Sequence, residues 1–323
     1  MAMGTRALAR LGGMLASAAV VSTASIYSVA DWRRVPLDQP ACDALVAEGK
    51  AQTFVQTSRG FIHVRTAGPE TGPVVVLVHG GVVGGQAFAS WIEPLVEEGY
   101  RVVVPDLLGY GYSARPDVPY TREFYLGQLR SLIDELGIDE PVHLAGGSFG
   151  GIVVAEFAAE NPGDVASVAL MSPAGLGKSH VVNPVLLMPL IGDWVFRVLG
   201  ADLVTRQMAT AYAGSPGQRT MLDWMNEQSK YRGFAEGMLN SLRHYDFQWR
   251  PQVFQALGRL GAPVFAAWGT QDTVHPYQRT ELLQRYAPQT ELLTLDGAGH
   301  AITYGRAEDV LDGYSRFLRD SAR

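Results

Sequence analysis

The sequence predicts an α/β protein: a mostly parallel central sheet with helices on both faces, interrupted by an inserted helical cap. Three observations lead there. Short apolar runs bounded by glycine and proline alternate with longer segments of helical periodicity, the pattern of repeated strand–helix–strand units. Val74–Val78 is apolar at every position, as suits a strand covered on both faces. Between about 175 and 252 strand-like runs vanish, leaving an interval too long for a plain connection and too patterned for disorder.

Taken in order, Arg6 and Arg10 precede residues 11–30, which carry no formal charge. Three readings of this run stand side by side: a signal peptide with Ser28-Val29-Ala30 as the cleavage site, a membrane anchor just long enough to span a bilayer, or a helix packed on the folded domain. Gly12, Gly13, Ser17, Ser22 and Thr23 dilute its hydrophobicity, and Arg33 and Arg34 beyond it weaken any assignment of orientation. The expected location is therefore secreted or membrane-associated, or cytoplasmic if the segment packs on the domain. A linker is expected around Pro36 and Pro40. Residues 61–64 read as a strand, 68–73 as a glycine- and proline-rich turn, 88–98 as a helix and 101–104 as the next strand. Residues 121–136 form a stronger helix, with Phe124, Leu129, Leu132, Ile133 and Leu136 on its apolar positions. Strands follow at 142–145, 165–171, 264–268 and 290–295, and helices at 152–160, 277–286 and 307–318. The expected division is 1–40 as leader or anchor plus linker, 41–174 and 253–323 as the core, and 175–252 as the cap.

A chain of 323 residues can bury a sizeable core. A net charge of −6 without a long basic tract gives nucleic acid little to hold. The lone cysteine, Cys42, excludes an intramolecular disulfide and argues against a cysteine-containing zinc site.

Chemistry concentrates at Gly146-Gly147-Ser148-Phe149-Gly150, a Gly-x-Ser-x-Gly run between a strand and a helix. Small neighbours allow a sharp turn that pushes the serine hydroxyl out of the fold. Serine is a weak nucleophile unless a histidine removes its proton and a carboxylate orients that histidine. His300, in Gly297-Ala298-Gly299-His300, is the candidate base. Asp272, just after strand 264–268, is the candidate orienting acid, with Asp296 its main rival. Acyl transfer also needs N–H donors for the developing oxyanion. Phe149 supplies one, and Gly81 in His79-Gly80-Gly81-Val82 is chosen for the other, with Val82 next to it as alternative. His79 is expected to brace its loop and Asp106 to satisfy local N–H groups. Gly109 and Gly111 have the wrong spacing for a dinucleotide fingerprint, and no Gly-Lys-Ser/Thr follows Gly84-Gly85. Trp91 and Trp268 read as core. Tyr245 and Trp249 are candidate pocket walls.

His79-Gly80-Gly81, Asp106 to Ser113, Gly146 to Gly150, Gly269 to Asp272 and Gly297 to His300 together resemble the α/β-hydrolase superfamily over residues 55–320. Ser172-Pro173-Ala174-Gly175-Leu176 and the apolar N-terminal run are similar to membrane-associated monoacylglycerol lipase and carboxylesterase members. The resemblance implies the α/β-hydrolase fold, hydrolysis of esters with an apolar acyl group through an acyl-enzyme, and no cofactor or metal. The implied partner is a small-molecule ester or lipid, with residues 11–30 as the candidate membrane-associating segment. Read from its own apolar residues, the cap is expected to lie over the strand edge and form the apolar side of the pocket, a lid that also touches lipid being the further reading. Two alternatives remain: a carbon–carbon bond hydrolase of vinylogous diketones, and an inactive hydrolase-like binding protein. Against the first, this chain has Val82-Val83-Gly84 where such enzymes commonly carry Gly-Pro-Gly, and Ala301 where they carry tryptophan after the histidine. Dehalogenases and epoxide hydrolases place aspartate at the Ser148 position. Proline-releasing peptidases need an acidic cap.

Overall fold

The computed structural model describes residues 28–29, 32–178, 184–211 and 218–321. The candidate signal or anchor run at 11–30 lies outside them except for Ser28 and Val29, and the proposed cleavage site loses Ala30. Among the described residues, no helix is long and apolar enough to cross a membrane.

The elements are α1 (Gln39–Ala47), β1 (Thr53–Thr57), β2 (Gly60–Ala67), β3 (Val74–Val78), α2 (Ile92–Glu97), β4 (Arg101–Pro105), α3 (Arg122–Glu135) and β5 (Val142–Gly147). There follow α4 (Phe149–Glu160), β6 (Val165–Met171), α5 (Ile191–Val198), α6 (Gly200–Ala211), α7 (Gln218–Gln228), α8 (Phe234–His244), α9 (Pro251–Arg259), β7 (Val264–Gly269), α10 (Arg279–Tyr286), β8 (Thr290–Leu295), α11 (Ile302–Gly305) and α12 (Ala307–Ser321). The strands form one eight-stranded sheet in the order β1-β2-β4-β3-β5-β6-β7-β8. β2 pairs antiparallel with both β1 and β4, and the remaining pairs are parallel.

The apolar runs dictate this layering. All of β3, β5 and β7 is buried. Because successive side chains alternate across a sheet, Val74, Val76 and Val78 enter one core, while Val75 and Leu77 enter the other. Full burial of each such side chain contributes about 1.5–3 kcal/mol, so neither face can be left uncovered. β8, at the edge, is only partly buried. Helix α3 starts where its sequence directs: the Thr121 side chain accepts the Phe124 N–H, capping an otherwise orphan donor.

Several elements differ from expectation. β1 was not foreseen, because its five residues at the sheet edge, of which Thr57 alone is buried, carry little apolar pattern. The helix expected at 88–98 is a 3-10 segment, Gly84–Trp91, followed by α2. Pro94 has no N–H to give and is tolerated only in the first α-helical turn, so the α-helix begins just before it. In the cap, the apolar run at 181–199 is split. Residues 179–183 lie outside the described set, Pro184–Leu187 is a 3-10 turn, and Leu190 takes a positive φ of 67° before α5. The N-terminal linker is also no free tether. Helix α1 begins at Gln39, and Val35 pairs with Tyr231 of the insertion, donating to Lys230 O at 2.8 Å and accepting from Arg232 N at 3.0 Å. Extended backbone leaves both groups of Val35 unpaired, and the cap supplies their partners.

The insertion leaves and re-enters the sheet at one place. Leu176 pairs with Trp249, Gly177 N–H donates to Gln248 O at 2.8 Å, and Arg250 N–H donates to Gly175 O at 2.7 Å. Its helices α5 to α8 therefore stand over the carboxyl edge of the strands, where the strand order reverses around β3 and open α/β sheets bind ligands.

The turn between β5 and α4 depends on close backbone approach. A Cβ added at Gly150 would lie 2.1 Å from Val78 O. The Gly150→Ala variant is expected to lose about 1–3 kcal/mol, the usual cost of overpacking, read as a lower urea midpoint at unchanged slope.

Candidate active site

Ser148 sits between β5 and α4 with φ 51° and ψ −113°. Side chains rarely adopt this left-handed backbone, and it persists only where the surroundings force it. Here they do. A Cβ at Gly146 would meet Gly150 O at 2.3 Å, so no larger residue fits the turn. Ser148 N–H donates to Met171 O at 2.9 Å, and its carbonyl accepts from Gly151 and Ala174. Its hydroxyl makes no capping bond to α4. A Cβ at Gly80 would lie 3.1 Å from Ser148 Cβ, so the loop after β3 runs directly beside the serine. Phe149 N–H belongs to the first turn of α4, where donors have no intrahelical partner.

Asp272 and His300 reach the same edge from β7 and β8. Their loops are stitched together by Gln271 N–H to Ala298 O at 2.9 Å and Gly297 N–H to Thr270 Oγ1 at 2.9 Å. His300 Nδ1 lies 2.8 Å from Asp272 Oδ2. The other carboxylate oxygen, Oδ1, accepts the N–H groups of Val274 and His275 at 2.9 and 2.8 Å. Burial alone would raise Asp272, but the hydrogen bond and charge of His300 and the His275 N–H outweigh it and hold the group below the ordinary carboxylate value. The carboxylate therefore stays charged and fixes the imidazole with its proton on Nδ1, leaving Nε2 free to accept. Asp296 is exposed, and its carbonyl accepts from Arg306.

Ser148, His300, Gly81 and Phe149 line one cavity of about 300 Å³. No direct Ser148–His300 hydrogen bond is made among the described residues; such bonds are often long until substrate is present. The rest of the lining is largely apolar, including Val204, Met208, Met238 and Leu242 from the cap. Tyr245 and Trp249 are not walls of it. Tyr245 is buried and donates to Glu156 Oε2 at 2.5 Å, and Trp249 is half exposed at the cap crossing; Phe247 and Gln248 line the cavity instead.

His79 is a brace. Its Nδ1 lies 2.6 Å from Gly80 O and its Nε2 accepts the Leu107 N–H at 2.8 Å, so both ring nitrogens are committed. Burial lowers it against the opposing pull of Asp106. Asp106 accepts the N–H groups of Gly85 and Tyr112. It also pairs with His63 Nδ1 at 2.7 Å, a partner not anticipated in the sequence. Burial works against the charge on Asp106, but His63 holds the group far below the ordinary range.

Sequence reasoning also missed His275. It lines the cavity, its ring centroid is 5.0 Å from that of His300 at 78°, and Arg279 Nη1 lies 2.8 Å from its Nδ1. Its only sequence signal was position: a histidine three residues past Asp272, still at the carboxyl end of β7. Among the described residues, no group of three or more His, Cys, Asp and Glu is placed to hold a metal ion.

A family model described as alpha/beta hydrolase fold matches residues 73–306. The chain is 30% identical over 270 residues to a 2-hydroxy-6-oxo-6-phenylhexa-2,4-dienoate hydrolase of Burkholderia cepacia, covering 80% of this chain and 90% of that one. It is 22% identical over 261 residues to Lipase 3 of Moraxella sp. (strain TA144), covering 76% and 78%. Among solved structures, a bacterial membrane phospholipase A superposes with a TM-score of 0.68 at 21% identity, covering 99% of each chain, a likeness of fold. The chain belongs to the α/β-hydrolase family and is a hydrolase.

Burial, and next the neighbouring His300, push His275 down from 6.5 to about 3, despite the opposing pull of Asp272. Between those values the unfolded chain binds a proton that the native state does not, so stability falls as pH drops through the window. At pH 5 this one group should cost about 2 kcal/mol relative to pH 7. Urea unfolding at the two pH values should show the His275→Phe variant losing that part of the difference.

Proposed function

We propose that this protein is a serine hydrolase that cleaves carboxylic esters with an apolar acyl group through an acyl-enzyme intermediate. The observation that carries this reading is Ser148 on a strained turn, sharing a mostly apolar cavity with a histidine already bonded to a buried aspartate. In this reading the acyl chain lies under the cap helices, against residues such as Met208 and Leu242. His300 Nε2 takes the Ser148 proton as Oγ attacks the ester carbon. Asp272 holds the ring and stabilises the imidazolium. The N–H groups of Phe149 and Gly81 receive the oxyanion, aided at Phe149 by the positive end of α4. His300 then gives the proton to the departing alcohol, and water activated by the same nitrogen releases the acid. Each step is carried by protein groups and water. Residues 11–30 are the candidate membrane-associating segment in this proposal, in keeping with a lipid ester as substrate.

One comparison favours a second reading. The relative from Burkholderia cepacia is named for a carbon–carbon hydrolase, and cleavage of a vinylogous diketone could use the same serine, histidine and aspartate. The loop after β3 and Ala301 weigh against it.

Rates on p-nitrophenyl esters from acetate to palmitate and on a monoacylglycerol, beside a vinylogous diketone, separate the two. Ser148→Ala should lower turnover by about 10⁶-fold, and Asp272→Asn by about 10⁴-fold. Serine-dependent turnover confined to the diketone would replace the ester reading with the second one. Absence of serine-dependent turnover on every substrate would favour a hydrolase-like binding protein.

A further inference from the structure

His275 is more constrained than a packing role requires. Its backbone N–H is held by Asp272 Oδ1, and its carbonyl accepts the Trp268 Nε1–H at 2.8 Å. Neither bond needs an imidazole. The ring itself is fixed by Arg279, whose Nη2 is anchored on Lys178 O at 2.7 Å. Gly177 makes room for that guanidinium, since a Cβ there would meet Arg279 Nε at 2.9 Å. Arginine can only donate, so His275 Nδ1 is the acceptor and the ring proton sits on Nε2. Among the described residues nothing accepts from Nε2, and the residue lines the cavity. An N–H brought into a largely apolar site without a protein partner is costly unless a ligand satisfies it.

Its position says which part of a ligand would do so. Cap helices α6 and α8 bring mainly apolar side chains to the cavity, among them Val204, Met208 and Leu242. His275 and Gln248 line it where the chain crosses into and out of the cap, with Arg279 behind. A departing alcohol must lie against His300 to receive its proton, and the His275 ring packs on His300 at 5.0 Å.

We propose that His275 forms a polar subsite, donating from Nε2–H to an acceptor oxygen on the alcohol portion of the substrate, and so selects ether- or hydroxyl-bearing esters over plain alkyl esters. This rests on the ester-hydrolase reading. Arg279 is a positioning residue that sets the tautomer.

The test compares two isosteric esters, 2-methoxyethyl dodecanoate and butyl dodecanoate, which differ by one ether oxygen in place of a methylene. The readout is the ratio of their kcat/KM values, so any change common to both cancels. The wild type should prefer the ether by about three- to tenfold. H275F should bring the ratio to about one, and H275Q, which keeps a donor, should hold it above one. R279M should lower the ratio, with the side-chain ¹⁵N shifts of His275 reporting a shift away from the Nε2–H tautomer. If H275F does not fold, the wild-type ratio and R279M decide the matter. A wild-type ratio near one, or an unchanged ratio in folded H275F, overturns the subsite while leaving the ester reading intact. Failure of the wild type on both esters overturns the two together.

Discussion

The close contact of the β5–α4 turn with the backbone after β3 is the constraint on which the rest of the site depends. Ser148 can hold its left-handed conformation only because Gly146 and Gly150 let α4 pack against Val78 and His79 with no side chain between them. That contact sets the serine beside the Gly80–Gly81 loop and directs the amino end of α4 toward the same point. A single methyl at either glycine would push the helix from the strand. The strain at Ser148 is thus maintained by the full burial of β3 and β5 and of α4 from Phe149 to Ala158, and the stability of the core is what keeps the nucleophile in place.

The opposite side of the site is held by one carboxylate. Asp272 accepts from His300 with one oxygen and from the Val274 and His275 backbone with the other. Four groups around β7 and β8 are therefore ordered by a single charge: the two loops, His300 and, through its backbone, His275. The Trp268 indole, itself buried in the core, completes the frame by donating to His275 O. Burial makes these bonds stronger than they would be in water, and makes the loss of any one more costly.

The cap is tied down by charge as well as by apolar contact. Glu156 of α4 is buried, accepts a hydrogen bond from Tyr245 Oη at 2.5 Å and forms ion pairs with Arg250 Nη2 of the returning chain at 2.8 Å and with Arg122 Nε of α3 at 3.3 Å. Burial raises Glu156 even against these partners. At the far side of the cap, Glu236 of α8 is shared by Arg34 of the N-terminal strap, at 3.6 Å, and Arg197 of α5, at 3.0 Å. The cap thus has a polar attachment at its root and another where the N-terminal segment meets it, while its apolar helices line the cavity between.

How much of this was legible in sequence follows from the range of each interaction. The buried strands, the Gly-x-Ser-x-Gly turn, Asp272 and His300 could be read because local rules govern them: apolar runs, the glycine need of a tight turn, and position just past a strand. Edge strand β1 could not, because its residues carry little apolar pattern; the break at Leu190 could not, because Arg243, distant in the chain, holds the Leu187 and Met188 carbonyls beside it. The same holds for His63 with Asp106, for the pairing of Val35 with Tyr231, and for the burial of Tyr245 on Glu156. His275 shows the division most plainly. Its place after β7 was visible in the sequence, but its tautomer and its exposure to the cavity depend on Arg279 and on Lys178 at the cap crossing. The sequence by itself determined the buried strands, the sharp turn and the order of the reactive residues, since these rest on neighbours in the chain. Only the tertiary structure decided which polar groups face the cavity, because hydrogen-bond partners are chosen by proximity in space.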